Sequence, residues 1–285
     1  MARVFEVKAR PSFDPLIVHV ARKEDVGGVA RGERTGKTDP RIDLLAERFW
    51  PGPLTLVLPR QPTVPDLVTA GLDTIGVRVP AHPAARELIR AAGTPVAAPS
   101  ANPFGYVSPT SADHVIAQLG EKIDLILDGG PCPVGLESTI LSLAADPPLI
   151  LRPGAITREQ LEAALGTPLE MAGSTERPSA PGQLPRHYAT RTPLRIVDNP
   201  AGPAPKGLGR MGLLAILGSP AASGYAAVEI LAPDGRLTTA AANLFAALRR
   251  LDGAGLDLVL AEPCPEDGIG RAIMDRLRRC AAPQR

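Results

Sequence analysis

Apolar positions in this chain fall into two kinds of pattern, and their alternation dictates the elements. Runs at 16–20, 54–58, 74–79, 123–127, 139–143 and 149–151 are rich in Val, Ile and Leu and have strand length. The segments among them place apolar residues three or four apart, as helices do. The first half therefore reads as mixed α/β. Asp39-Pro40 supplies a capping carboxylate and a proline at the first helical position, after which Ile42, Leu45 and Phe49 share one stripe. That arrangement predicts a helix packed on a sheet. A second helix is predicted for PAARELIRAA at 83–92, after the strand at 74–79 stops at Pro80. Thr110-x-x-Asp113 and Thr157-x-x-Gln160 have the spacing of capping boxes, with helices ending at Gly120 and Gly166.

From Met171 to Pro193 the periodicity stops and Pro, Ser and Thr accumulate, which is the composition of a linker. Strand-like runs resume at 194–197, 211–217, 228–231 and 256–260, with helical patterns at 238–251 and 269–280. The alternation predicts a small α/β domain. The expected organisation is a first domain over 1–170, a linker over 171–193 and a second domain over 194–285, with no internal repeat.

A length of 285 residues with 44% hydrophobic content suits two cores of modest size. The formal charge of +1 gives no long-range attraction for polyanions, so stable nucleic-acid binding is not expected and the ligands should be small. Cys132, Cys264 and Cys280 are odd in number and widely spaced, which argues against a disulfide framework or zinc site and for a reducing cytoplasm. No apolar run approaches the ~20 residues of a membrane helix, and MARVFEVKARP has no signal-peptide core.

Several polar residues interrupt this framework. The run 95–98 delivers Pro99-Ser100-Ala101-Asn102-Pro103 to a turn at a strand end, where open α/β sheets bind ligands. Arg152 ends the strand LILR before Pro153-Gly154; it either grips an anion bidentately or pairs with a surface carboxylate. The glycines of 128–139 let backbone amides approach a ligand beside Ser138, or simply join two strands. Arg78 is a charge in an apolar strand and needs either an internal carboxylate or a substrate carboxylate. His19, flanked by apolar residues in PLIVHV, has the setting of a core histidine. Nothing marks a Ser-His-Asp triad or a carboxylate dyad. GERTGKT at 32–38 is similar to a phosphate-binding P-loop, but Gly32 and Gly36 are one residue too close and no strand leads in; an exposed loop is expected.

The segment GVRVPAHPAARELIRAAGTPVAAPSANPFGYVSPTSADHV at 76–115 resembles the YrdC-like domain of threonylcarbamoyl-AMP synthases, as do FWPGPLTLVLPR at 49–60, ILDGGPCPVGLESTIL at 126–141 and LILRPGAIT at 149–157. PGQLPRHYA at 181–189 and GIGRAIMDRLRRCAA at 268–282 are similar to the interdomain linker and second domain of the two-domain form. The resemblance implies a twisted open mixed sheet with flanking helices, followed by a smaller Rossmann-like α/β domain. It implies condensation of L-threonine, bicarbonate and ATP into threonylcarbamoyl-AMP and pyrophosphate, with Mg2+ accompanying ATP. Partner proteins would then place the threonylcarbamoyl group on tRNA. It assigns ATP to Lys8, Arg10, Asp14, Thr74, Ser100, Asn102, Ser108, Arg152 and Tyr188, with His187 beside the last as a lid, and threonine to His19, Arg78, Ala98 and Ser138.

Two departures accompany it. The family opens with a strand and a Pro-Thr-Glu-Thr-x-Tyr-Gly motif that helps hold threonine, whereas this sequence starts MARVFEVKARP. The expectation is a sheet and pocket short of those residues, and synthesis that is poor or absent. The stretch ARKEDVGGVARGERTGKTDPR at 21–41 also lacks the helical pattern the family shows between His19 and FWPGP, and Asp14 stands where the family usually has asparagine. The competing readings are a non-catalytic YrdC-like binder of nucleotide or RNA, and another carbamoyl-adenylate chemistry on the same domain.

Overall fold

The computed structural model describes residues 1–34, 37–198, 204–205, 207–217 and 223–283; for 33–34 and 37–38 only the backbone is described. In chain order the elements are α1 (Ala2–Lys8), β1 (Ile17–His19), β2 (Glu33–Arg34), β3 (Lys37–Thr38), α2 (Pro40–Phe49), β4 (Leu54–Pro59), α3 (Asp66–Thr69), β5 (Thr74–Arg78), α4 (Pro83–Ala92), β6 (Val96–Ala98) and α5 (Ala112–Leu119). They continue with β7 (Thr139–Ser142), β8 (Leu149–Arg152), α6 (Arg158–Leu165), β9 (Glu170–Met171), β10 (Leu194–Ile196), β11 (Met211–Ala215), β12 (Ala227–Ile230), α7 (Leu237–Asp252), β13 (Leu258–Ala261) and α8 (Gly270–Ala281). The chain divides into two compact units, each made of two stretches: 1–100 with 137–184, and 101–136 with 185–285.

The first unit is a seven-stranded sheet in the order β6-β1-β5-β4-β7-β8-β9. It is mixed: β1 runs parallel to β5 and antiparallel to β6, while β4 is antiparallel to β5 and parallel to β7. Strand alternation sorts the side chains. Leu16, Val18, Val20, Leu54, Leu56, Leu58, Ile75, Val77, Leu141 and Ile150 join Ile42 and Leu45 of α2 and Leu161 of α6 in the main core. The opposite face carries a smaller apolar group, Ile17, Val57, Ile140, Leu151 and Ala180, and leaves room there for polar side chains. α2 is capped as the sequence predicts, with the Asp39 carboxylate accepting from Arg41 N at 3.0 Å. α6 has the full Thr157–Gln160 box and ends at Gly166 in the left-handed conformation.

The second unit holds a wholly parallel sheet in the order β10-β13-β11-β12. Ala240, Ala241, Leu244, Phe245, Leu248 and Leu251 of α7 meet Ala272, Ile273 and Leu277 of α8 in its core. This is the Rossmann-like α/β arrangement the second half predicts.

Four expectations are corrected. The run 123–127 forms no strand: Leu125 and Leu127 are 75% and 63% exposed, and among the described residues no strand pairs with it to form a ladder. The cap of α5 is Ser111, which accepts from His114 N at 3.4 Å, one residue after the Thr110 expected for it. The P-loop-like stretch is not a plain loop, since β2 and β3 pair antiparallel; residues 35–36 within it lie outside those described. Finally, 171–193 lacks regular structure after Met171 yet is packed rather than loose, with Ala180 and Gln183 buried in the first unit and His187, Tyr188, Thr190 and Thr192 in the second.

Candidate active site

The face of the first sheet turned away from its helices gathers the cations. β1 and β5 are in register so that His19 pairs with Arg78 and Ile17 with Gly76, and alternation puts Thr74, Gly76 and Arg78 on the same side. Arg78 is half-buried, and its Nε donates to the Gly52 carbonyl of the FWPGP turn at 2.9 Å. Among the described residues no carboxylate pairs with it, which decides against the internal salt bridge. Burial, with Arg152 adding repulsion, lowers its pKa to about 10. His19 is held neutral: burial first, then Arg78, lower its pKa to about 4, against the pull of the Val96 and Ile17 backbone.

Arg152, at the end of β8, is buried and grips the start of β7. Its Nη2 donates to the Ser138 carbonyl at 2.8 Å and to Ser138 Oγ at 3.1 Å, while Nε reaches the same carbonyl at 3.1 Å. Nη1 donates to the Pro181 carbonyl at 3.2 Å. Rather than pairing with a surface carboxylate, the buried side chain ties three segments together. Ser138 Oγ is shared in turn with Thr55 Oγ1 at 2.7 Å. Gly154 makes this close approach possible, since a Cβ there would stand 2.5 Å from Thr139 N and 2.6 Å from Glu137 O.

Lys8 and Arg10 reach the site because α1 ends in a left-handed turn at Ala9 (φ 51), whose N–H and that of Arg10 return to Glu6 and Phe5. Lys8 Nζ donates to the Ser100 carbonyl at 2.6 Å, placing it beside the turn after β6. Arg10 pairs with Asp14 at 2.8 Å and donates to the Pro15 carbonyl at 2.8 Å. Burial, reinforced by Arg10 and opposed by Asp14, depresses Lys8 to about 8. Burial also lifts Asp14 to about 6, although Arg10, Arg152 and Lys8 all favour its charged form. Desolvation outweighs the ion pair here, as is common for buried charges.

Of the residues expected at the site, Lys8, Arg10, Asp14, His19, Thr74, Arg78, Ala98, Ser100, Ser138 and Arg152 belong to the first unit, and Asn102, Ser108 and Tyr188 to the second. Asn102 Nδ2 donates to the Tyr106 carbonyl at 2.8 Å and the Pro103 carbonyl at 3.1 Å. The Ser108 carbonyl accepts from Arg249 Nε at 3.2 Å. Tyr188 is buried, its ring stacked on Phe245 at 5.4 Å and edge-on to His187 at 4.2 Å. Sequence reasoning missed Thr55, the one hydroxyl in the strand LTLVLP, and the segment Ser179 to Pro181, which covers this face. Gln183 shapes that segment, its Oε1 accepting from Ser179 N, Ser179 Oγ and Ala180 N at 2.7, 3.0 and 2.9 Å. Among the described residues no group of three or more His, Cys, Asp or Glu could hold a metal.

A mixed sheet that presents buried cations, hydroxyls and a neutral histidine on one face, joined in sequence to a Rossmann-like unit, defines an α/β protein with a cation-rich candidate site. Comparison with known proteins narrows this class. A family model described as "Telomere recombination", of the Sua5, YciO and YrdC proteins, matches residues 1–154, and one described as "Threonylcarbamoyl-AMP synthase, C-terminal domain" matches 156–282. The threonylcarbamoyl-AMP synthase of Bacillus subtilis (strain 168) is 41% identical over 294 residues, which cover 98% of this chain and 82% of that protein. That of Pyrococcus abyssi (strain GE5 / Orsay) is 39% identical over 291 residues, covering 98% and 83%. The crystal structure of P. abyssi Sua5 complexed with L-threonine superposes with a TM-score of 0.87 at 37% identity, covering 98% of this chain and 84% of that one. The chain belongs to the threonylcarbamoyl-AMP synthase family.

Proposed function

We propose that the protein is an L-threonylcarbamoyladenylate synthase, a nucleotidyltransferase that condenses L-threonine, bicarbonate and ATP into threonylcarbamoyl-AMP and pyrophosphate for tRNA modification. The observation that carries this reading is Arg78, a half-buried guanidinium that has a backbone carbonyl but, among the described residues, no carboxylate for company. Such a cation awaits an anion, and the neighbouring His19, uncharged at neutral pH, adds no second cation against an amino acid's ammonium group. Threonine would lie on Arg78, His19, Ala98 and Ser138. Lys8, Arg10 and Arg152 would neutralise phosphate oxygens, with Thr74, Ser100 and Asp14 around them; Asn102, Ser108 and Tyr188 are carried as nucleotide-binding residues on family resemblance. In the reaction the threonine amine bonds to the carbon of bicarbonate with loss of water, and an oxygen of the resulting carbamate then bonds to the α-phosphorus as the bond from that phosphorus to pyrophosphate breaks. Charge accumulates on the leaving oxygen, and fixed cations stabilise it without an acid–base pair. Mg2+ would enter on the phosphates of ATP, since the cation-rich lining supplies donors to phosphate rather than a cage of hard oxygen ligands. A cytoplasmic setting and downstream tRNA-modifying partners complete the proposal. No described helix is long and apolar enough to cross a membrane.

The test is calorimetric titration of Arg78→Ala with threonine and, separately, with ATP. Loss of a charge-assisted contact costs about 1.5 to 3 kcal/mol, so threonine should bind about tenfold or more weakly while ATP affinity changes little. Unchanged threonine affinity in the folded variant would remove Arg78, and with it the threonine site, from this face.

A further inference from the structure

The second unit contains an open cavity of ≈ 480 Å³ lined by Tyr106, His114, Gln118, Arg191 and Arg249. Its polar lining is one-sided, because the acceptors are already engaged. The side chain of Asp252 is buried, and its Oδ1 accepts from Thr192 N at 2.8 Å, while Oδ2 takes the Tyr106 hydroxyl and Arg191 Nε, the latter at 3.2 Å. Gln118 Oε1 accepts from Arg249 Nη2 at 2.9 Å. His114 Nδ1 accepts from Thr110 N at 3.1 Å, which leaves the proton of the neutral ring on Nε2. What remains are donors: Nε2–H of His114, the amide N–H groups of Gln118, Nη1 of Arg249 and the remaining guanidinium N–H groups of Arg191, whose side chain is 78% exposed. Arg249 is held in place, its Nε on the Ser108 carbonyl, its Nη2 on that of Val107, and its Cζ 5.5 Å above the Tyr106 ring. Two guanidiniums face one carboxylate, so the lining carries a positive excess.

We propose that this cavity, lined wholly by residues of the second unit, is a phosphate-binding site. Guanidinium forks match phosphate oxygens bidentately, and neutral donors complete the shell without adding repulsion. The volume falls in the range of small-molecule pockets and exceeds what one phosphate group fills. A nucleotide-sized ligand with its sugar or base against the Tyr106 and Ala117 wall fits that space. The phosphate could be terminal, on a free nucleotide or pyrophosphate, or an internal diester of RNA.

The experiment reads the His114 ring resonances in the full chain during titration with inorganic pyrophosphate and, separately, with a single-stranded RNA hexamer lacking terminal phosphates. Arg191 lines this cavity and is not among the residues proposed for ATP or threonine, so the loss of the shifts in its variant separates the outcome from the fate of the proposed synthase activity. Saturable shifts are expected with one probe at sub-millimolar concentration, weakened about tenfold or more by Arg191→Gln. That residue is exposed and its loss spares the core; Arg249→Lys, which keeps charge but loses the fork, should weaken binding as well. Response to pyrophosphate alone assigns a terminal phosphate, and response to the hexamer alone assigns a diester. No His114 shift with either probe, or affinities equal to wild type in both variants, overturns the proposal.

Discussion

Arg152 secures its own strand end as well as serving any ligand. Its removal leaves the Ser138 and Pro181 carbonyls without their charged donor in a buried setting, and unsatisfied buried groups cost about 1 to 3 kcal/mol each. Arg152→Ala should therefore lower unfolding stability by about 2 to 3 kcal/mol, read from urea denaturation; a midpoint equal to wild type would show that the guanidinium does not bind these carbonyls in solution. Lys8 gives a different signature. With its pKa depressed to about 8 by burial and Arg10, it is charged below that pH and neutral above it, so ATP affinity should fall as pH rises from 7 to 9. A bound polyphosphate favours the ammonium and raises the pKa again. ATP binding at pH 8.5 should then take up a proton, measured as the dependence of calorimetric heat on buffer ionisation enthalpy. Lys8→Arg, charged throughout, should abolish the uptake; equal uptake in that variant would locate the proton elsewhere.

Among elements, the joint of β7 and β8 depends on a missing side chain. A Cβ at Gly154 would press on the backbone at Thr139 and Glu137, which no rotamer change relieves. Gly154→Ala should cost about 1 to 3 kcal/mol, as overpacking does, and exceed the ~1 kcal/mol expected for uncapping α6 with Thr157→Ala. Chemical denaturation of the two variants decides the order. The strands of this sheet were legible because short aliphatic runs end at Pro or Gly, and α2 and α6 because their caps are spelled out by Asp39-Pro40 and Thr157-x-x-Gln160. Residues 123–127 show the limit: their alternation is that of a strand, but a ladder needs a neighbour that local pattern does not reveal. α1 was illegible for the opposite reason, a single-sided seven-residue helix with no side-chain cap. Of the candidate site, Arg78 and Arg152 stood out by interrupting or ending apolar strands, whereas Lys8, Arg10 and Asp14 came from the family resemblance alone. Thr55 and Gln183 did neither, since their work is holding Ser138 and the Ser179 to Pro181 segment.

At the scale of the molecule, the two compact units are not consecutive halves of the chain, and no sequence pattern showed that 101–136 groups with 185–285. Val107 and Leu136 lie in the core of α7 and α8, far along the sequence. A fragment ending at residue 184 should accordingly carry a stretch with no core to enter. It should elute from a sizing column as aggregate, whereas a monomer with a cooperative melt would show that 101–136 is stable without its distant partners. The same interleaving sets a timetable for birth on the ribosome. Residues 101–136 are made about fifty positions before the first of the chain they pack with, and at roughly 5 to 20 residues per second that interval lasts some seconds. Through it, apolar side chains wait in the open while the first sheet closes around them in sequence but without them. The nascent chain is thus a natural client for chaperones that hold it until translation is nearly done.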